Sequence, residues 1–302
     1  MTFRDALSAG EWVVTAELGP PANPDADEVR RTARALAPVV HAANITDNQA
    51  ATVKVSPVAG AVWMLEEGVE PILQLTTRDR NLLALQSELL GAWALGVHSL
   101  LTLSGDPLKV GAYDGIAKPV SDIDSTGLVR LVAQMNAGRL AAGEELRMST
   151  DFAIGSAMNP LLDSIEKIEQ KIEAGVHFFQ TNIVFDVDRF AEWYAAVVAA
   201  GVPARAPVLV GVTPPRSSRA LHHMHDNIPG VEVDAATFAA LDGLQGAEAK
   251  AAGLAVAAGV VRRLRDVSGV AGVHLMAPGW EAEAVPRLVA DAGLSPGGDR
   301  AG

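Results

Sequence analysis

Eight short apolar runs, rich in β-branched residues or Leu, alternate with longer segments of helical periodicity, and this alternation constrains the fold more than any other feature of the chain. The runs fall at 12–18, 41–46, 70–75, 99–103, 151–156, 177–181, 207–212 and 272–276. Between them the pattern predicts helices over 25–36, 57–67, 81–95, 127–136, 163–174, 186–199, 217–225 and 281–291. A further helix is expected over 247–266, where Ala251, Leu254, Ala255, Ala258, Val261 and Leu264 share one side and read as buried packing. Eight βα units in one chain suit a closed parallel (β/α)8 (TIM) barrel better than an open doubly wound sheet, so the expectation is one α/β barrel domain over 1–294. The Ser-Pro-Gly-Gly-Asp-Arg-Ala-Gly stretch at 295–302 has the composition of a disordered tail.

Composition narrows the partners. Hydrophobic residues make up 49% of the 302 residues, enough for one large core. The net charge of −12 offers nucleic acid or an anionic membrane no general attraction, so small molecules are the expected partners. The absence of cysteine removes disulfides and thiolate chemistry, and makes the cytoplasm the default location. Neither a hydrophobic signal region near the N-terminus nor an apolar run of the roughly 18 residues needed to span a bilayer is apparent.

In a parallel barrel the loops after the strands form the active face, so polar residues at strand ends are the candidates. Glu17 ends the first run beside Gly19-Pro20-Pro21, Asp47 follows the second, and Asp106 lies in the Ser104-Gly105-Asp106-Pro107 turn after the fourth. Carboxyls gathered at one mouth suit acid–base chemistry, although Asp and Asn there also serve as helix caps. Glu17 is the best candidate acid, because a carboxyl within an apolar strand is costly without a purpose or partner. Gly105 lets backbone approach a ligand closely. Neither a P-loop nor a Gly-x-Gly-x-x-Gly signature is present. Arg78 and Arg80 read either as phosphate ligands or as structural ion pairs. His222 and His225 share a helix face, but their spacing matches no metal motif. Trp63, Trp93 and Trp193 read as packing residues, whereas Trp280 follows Pro278-Gly279 on the active-face side.

The string Leu75-Thr76-Thr77-Arg78-Asp79-Arg80-Asn81, with Gln86-Ser87 and Leu89-Leu90-Gly91, resembles methylenetetrahydrofolate reductases, in particular the form fused to homocysteine methyltransferase domains. Leu103-Ser104-Gly105-Asp106-Pro107, Asp122-Ile123-Asp124-Ser125-Thr126-Gly127-Leu128 and Lys171-Ile172-Glu173-Ala174-Gly175 are similar to that family's flavin-binding region. The resemblance is good over 12–232 and looser beyond. It implies reduction of 5,10-methylenetetrahydrofolate to 5-methyltetrahydrofolate by NADH or NADPH, usually relayed by FAD, in one-carbon and methionine metabolism. Glu17 then corresponds to the acid that protonates the folate, and Asp106 to a carboxylate that tunes the flavin and stabilises a cationic iminium. Thr46, Gln74, Thr76, Leu103, Ser104, Gly105, Asp124, Ser125 and Lys171 fall on the cofactor side. Gln180, Asn182, Leu221 and Trp280 fall on the substrate side.

The chain departs from the family pattern in several places. Gln74 stands where His is frequent, Ser104 where Arg is frequent, Asn182 where a folate-contacting Gln is found, and Leu221 roughly where an aromatic sandwiches the ligand. The C-terminal folate-binding Arg has no counterpart near Trp280. The expectation is therefore an oxidoreductase that holds FAD weakly or bypasses it. Another tetrahydrofolate-dependent barrel enzyme, such as a methyltransferase or demethylase, and a non-catalytic partner subunit of a one-carbon complex are the alternatives.

Overall fold

The computed structural model describes residues 2–296, so most of the stretch read as a disordered tail lies outside the described residues. Eight strands, β1 (Val13–Leu18), β2 (Ala42–Ile45), β3 (Pro71–Thr76), β4 (Ser99–Leu103), β5 (Ala153–Met158), β6 (Phe178–Ile183), β7 (Val208–Val212) and β8 (Val270–Leu275), follow one another in sequential order. All pairs are parallel, and β8 returns to β1 with Val13 opposite Gly272 and Ala16 opposite Leu275, which closes the (β/α)8 barrel.

The helices are α1 (Phe3–Ser8), α2 (Ala26–Leu36), α3 (Pro57–Glu66), α4 (Leu82–Ala94), α5 (Ser125–Asn136), α6 (Ile165–Ala174), α7 (Val187–Ala199), α8 (Val202–Arg205), α9 (Ser218–Asn227), α10 (Ala235–Leu241), α11 (Gly246–Leu264) and α12 (Glu281–Asp291). Asp25, Asn81, Asp186 and Ser217, expected as first helical residues, are N-caps whose side chains accept from backbone N–H groups one turn in. The strand expected over 151–156 begins two residues later. Phe152 N–H donates to the Asn136 side chain, and the first inter-strand bond runs from Ala153 N to His98 O. Strands β5 and β6 also run two residues further than expected, and an irregularity in the β6–β7 pairing between Gln180 and Ile183 re-aims the end of β6.

Helix α1 was not foreseen. Thr2 and Asp5 form a capping box at its start, and Phe3 and Ala6 enter the N-terminal end of the barrel. There Phe3 meets Phe178 edge to face at 5.0 Å, over a layer that includes Val13, Ala42, Ile72, Leu101, Ala153 and Leu209. Gly155 leaves room for the Phe178 ring, since a Cβ there would lie 2.3 Å from Phe178 Cζ. The apolar floor seals the barrel at this end and leaves the polar side chains of the strands toward the other.

The main core fills the space between the strands and their covering helices, and includes Leu254, Ala258, Val261 and Leu264 of α11 as the periodicity required, whereas Ala251 and Ala255, expected on the same side, are exposed and Ala257 and Val260 are buried instead. A separate cluster of Ile183, Phe185, Leu221, Met224, Val231, Val233 and Leu241 packs α9 and α10 over the end of β6. No helix among the described residues is long and apolar enough to cross a membrane.

Candidate active site

Side chains two apart on a strand face the same way, so Thr15 and Glu17 on β1 share one side. That side is the barrel interior. Gln74 of β3 donates from Nε2 to Glu17 Oε2 at 3.2 Å, across the intervening β2. Gln49, in the loop after β2, donates from Nε2 to Glu17 Oε1 at 3.2 Å. His274 of β8 brings Nε2 to 3.8 Å from Oε2. The carboxyl is thus only 6% exposed, yet both oxygens face N–H donors, which answers the expectation that such a group needs partners.

A second polar layer lies beneath it. Asn44 of β2 and Gln180 of β6 exchange amide hydrogen bonds across the barrel, Asn44 Nδ2 to Gln180 Oε1 at 2.7 Å and Gln180 Nε2 to Asn44 Oδ1 at 3.1 Å. Thr15 Oγ1 is 3.0 Å from His274 Nδ1 and 3.3 Å from Gln180 Nε2. His274, Thr15, Asn44 and Gln49 were absent from the sequence-based candidates. The signal that singled out Glu17, a polar residue at an inward position of an apolar strand, also marks His274 and Asn44.

The loops after β2 and β4 are tied together above this layer. Asp106 Oδ2 accepts from Ala50 N–H at 2.7 Å, and Gly111 presses on the same segment, where a Cβ would lie 2.3 Å from Ala51 O. Asn48, Ala50 and Ala51 all have positive φ, a strained conformation for residues with side chains that the contacts from the β4 loop help to hold. Arg78, nearly fully buried, donates to Asp106 O, Asn48 O and the Asp79 carboxylate, so it ties three loops. Val53, Val110, Tyr113, Ile116 and Val120 on these two loops expose apolar surface beside the polar mouth.

The arginines take the ion-pair alternative. Arg80 Nη1 is 2.7 Å from Asp47 Oδ2, an oxygen that also accepts from Thr76 N and Thr76 Oγ1 at 2.9 Å each. Burial opposes the Arg80 charge, but Asp47, with Glu88 and Asp79, more than offsets it and holds the guanidinium above its usual range. Asp47 and Thr76 are therefore fully engaged with protein partners. His222 and His225 pack their rings against Phe238.

Several expected ligand-binding residues occupy other roles. Gln180 is 2% exposed and closed within the cross-barrel network, which leaves Asn182 as the β6 side chain nearer the surface; its Nδ2 donates to Pro229 O at 3.3 Å. Leu221 has no exposed surface, being packed under α10, so it offers a ligand no face in this structure. Trp280 is 7% exposed and its ring belongs to the main core, with Lys250 Nζ 5.2 Å from the ring centroid.

The residues expected around FAD divide between protein partners and the rim of the mouth. Lys171 turns inward to donate to the Ala157 carbonyl, with Asp163 3.9 Å away, and burial pushes its ammonium below the usual lysine range with Asp163 compensating only in part. Asp124 caps α5 through Gly127 N–H, and Ser104 Oγ accepts from Ser125 N–H. Thr46 is buried, the Thr76 hydroxyl serves Asp47, and the Gln74 amide serves Glu17. Leu103 is half-buried against the barrel floor cluster. Gly105, at φ +85°, sits against Arg78 and Thr76, where a Cβ would come within 3.1 Å of Arg78 Cβ. Lys171, Thr76 and Gln74 are thus engaged by protein partners, whereas Ser104 and Asp124 stay exposed at the rim, so the set presents no free cation to a flavin's phosphates.

A closed parallel barrel with a carboxyl and its donors gathered at the C-terminal ends of the strands has the architecture of the (β/α)8 class. Residues 2–291 match the methylenetetrahydrofolate reductase family, and the chain belongs to it. Methylenetetrahydrofolate reductase 2 of Saccharomyces cerevisiae is 28% identical over 158 residues, which is 49% of this chain and 24% of that protein. Methylenetetrahydrofolate reductase 1 of Schizosaccharomyces pombe is 26% identical over 154 residues, 48% of this chain and 23% of that protein. The matched region thus spans about a quarter of these longer relatives. Among solved structures, an uncharacterized protein from Clostridium thermocellum that binds two copies of 5-methyl-5,6,7,8-tetrahydrofolic acid shares the fold, with a TM-score of 0.66 at 14% identity over 95% of this chain and 97% of that one.

Proposed function

We propose that this protein reduces 5,10-methylenetetrahydrofolate to 5-methyltetrahydrofolate, with Glu17 as general acid and a nicotinamide dinucleotide as direct hydride donor. The observation that carries the reading is Glu17 itself, a nearly buried carboxyl at the inner wall of the mouth with a donor on each oxygen. In the reaction Glu17 gives its proton to a nitrogen of the folate's five-membered ring, the ring C–N bond breaks, and the methylene carbon becomes an iminium. Hydride from the dihydronicotinamide then reduces that carbon to methyl, so one NADH and one proton are consumed per turnover.

Asp106, exposed at the rim with Ala50 N–H fixing one oxygen, supplies negative charge to the cationic iminium. On this reading Asn182, the β6 side chain nearer the surface, meets the folate, exchanging its bonds with Pro229 O and Ile183 N–H for the ligand. The exposed apolar groups of the β2 and β4 loops suit the planar rings of folate and nicotinamide. Family membership supports the substrate class, and the structural neighbour binds a molecule of the proposed product's kind. The inward turn of Lys171 favours direct transfer: on this reading the two substrates share one mouth and hydride passes between them without a relay.

The test is NADH oxidation by the purified protein with methylenetetrahydrofolate, after its visible spectrum has been checked for bound flavin. Turnover in a colourless sample, unaltered by added FAD, is the expected result. No turnover with NADH or NADPH, even after FAD is supplied, overturns the reading and favours a methyl-transferring folate enzyme or an accessory subunit.

A further inference from the structure

We infer that Thr213, at the mouth end of β7, is a further folate-contacting residue whose hydroxyl is reached when the Met276 side chain of the neighbouring β8 loop swings aside. The inference rests on the reading of the mouth as a folate site.

Among the described residues, the buried side-chain atoms without a hydrogen-bond partner are Trp12 Nε1, Ser156 Oγ, Asn159 Oδ1 and Thr213 Oγ1. A buried polar atom in that state lowers stability unless something else satisfies it. Trp12 precedes β1, at the floor end of the barrel. Ser156 shares the side of β5 that carries Ile154 and Met158, which face the covering helices. Asn159 Oδ1 is covered by Gly230, where a Cβ would lie 2.3 Å from it. Thr213 differs in facing the mouth. Val208, Val210 and Val212 of β7 belong to the core behind the sheet and Leu209 to the floor cluster, so positions 209, 211 and 213 point inward. Pro214 follows, and a residue before proline is held extended, which carries the alternation through Thr213. The residue is 5% exposed.

Its cover is movable. Val212 pairs with Leu275 and accepts from Met276 N–H at 2.9 Å, which sets Met276 beside Thr213. The Met276 methyl carbon lies 2.8 Å from where a Gly211 Cβ would be, so the thioether lies along the one stretch of β7 that has no side chain of its own. Met276 is half-buried, and an unbranched side chain with three rotatable bonds repacks readily. The end of β6 flanks the other side of this notch, with Asn182 O 2.7 Å from the same Gly211 position. A flat ring edge that enters as Met276 leaves is therefore bracketed by the Asn182 amide and the Thr213 hydroxyl, on adjacent strands. The bicyclic ring of a folate has such an edge, with N–H donors and nitrogen or carbonyl acceptors side by side. A hydroxyl meets either kind, and an amide presents both.

Calorimetric titration of the full chain with 5-methyltetrahydrofolate reads the affinity whether or not the protein oxidises NADH. Thr213→Val keeps the shape and removes the hydroxyl. It should weaken binding about tenfold and leave the unfolding midpoint at or above wild type, because the hydroxyl has no protein partner to lose. KM for NADH should not change. Thr213→Ser, which keeps the hydroxyl, should bind within about threefold of wild type. With the methionine methyls labelled with 13C and Met276→Leu assigning the resonance, the Met276 signal should move in NMR spectra when the folate is added. A Thr213→Val protein that binds as tightly as wild type, or a Met276 signal that stays in place, overturns the inference. So does a fallen unfolding midpoint in Thr213→Val, which would give the hydroxyl to the fold, or a raised KM for NADH at unchanged folate affinity, which would give the notch to the nicotinamide. In each of these cases wild type still binds the folate, so the functional reading stands and the role of Thr213 alone falls. If wild type binds no folate, the reading of the mouth falls and the role of Thr213 with it.

Discussion

Replacing Asp47 by Asn removes one negative charge from a buried pair while keeping the side chain's shape. Asp47 is 3% exposed, and its Oδ2 accepts from Thr76 N, Thr76 Oγ1 and Arg80 Nη1 at 2.9, 2.9 and 2.7 Å, while Oδ1 faces Arg80 Nη2 at 3.3 Å. The amide has one oxygen for these four donors. If that oxygen takes the three-donor position, the new NH2 group points at Arg80 Nη2, donor against donor. Breaking a buried ion pair by removing one partner costs about 3–5 kcal/mol, since the remaining charge is left uncompensated. Here Glu88, 3.5 Å from Arg80 Nε, retains part of the compensation, which places the expectation near the lower end, about 3 kcal/mol. Urea unfolding followed by tryptophan fluorescence measures the loss, and repeating it at higher salt should change it little because buried pairs are weakly screened. A loss below about 1 kcal/mol would refute the account of Asp47 as a structural anchor. So would a collapse of turnover at unchanged stability, which would move Asp47 into the chemistry.

Glu17→Gln should lower kcat about 100-fold or more while leaving KM for NADH close to wild type, and should lower the unfolding midpoint modestly because its NH2 group meets the Gln49 or Gln74 donor, as measured by steady-state kinetics and urea titration. Gly111→Ala places a methyl where Ala51 O lies 2.3 Å away, so it should part the β2 and β4 loops and raise KM for the folate substrate with little change in melting temperature. Glu70→Gln reads out as a pH-dependent stability. Burial raises the Glu70 carboxyl above its usual range, against the hydrogen bonds from Phe3 N–H and Ser99 Oγ. A raised folded-state value means that the carboxyl's contribution is full below the unfolded value and falls as pH rises through the folded one. The variant should therefore melt at or above wild type at pH 8 and lose that advantage near pH 4 in paired calorimetric scans.

The eight strands were legible because a buried parallel sheet writes itself as short continuous apolar runs, and those runs survive without any knowledge of partners. What decided their ends was not local. The start of β5 depends on Asn136, a residue from the preceding helix, and the end of β6 on an irregularity in its pairing with β7. Helix α1 is too short for periodicity to show, and its role as a plug exists only because Phe178 lies above it. Within the site, Glu17 was found because its strand is otherwise apolar. Gln180 and Lys171 were assigned to ligands by their place in a motif, yet a cross-barrel partner from β2 had first claim on Gln180 and the end of β5 on Lys171. His274 carried the same mark as Glu17 in the sequence, but its meaning required knowing that β8 closes onto β1.

The route of the hydride tests the central claim most directly. With NADH deuterated at the transferable position of the nicotinamide ring and flavin-free protein, mass spectrometry of the folate product reports where the label goes. One deuterium in the methyl group of each 5-methyltetrahydrofolate, undiluted by solvent hydrogen, is the predicted result. A product methyl group without the label, or label exchanged with water before it reaches carbon, would contradict direct transfer from nicotinamide to folate.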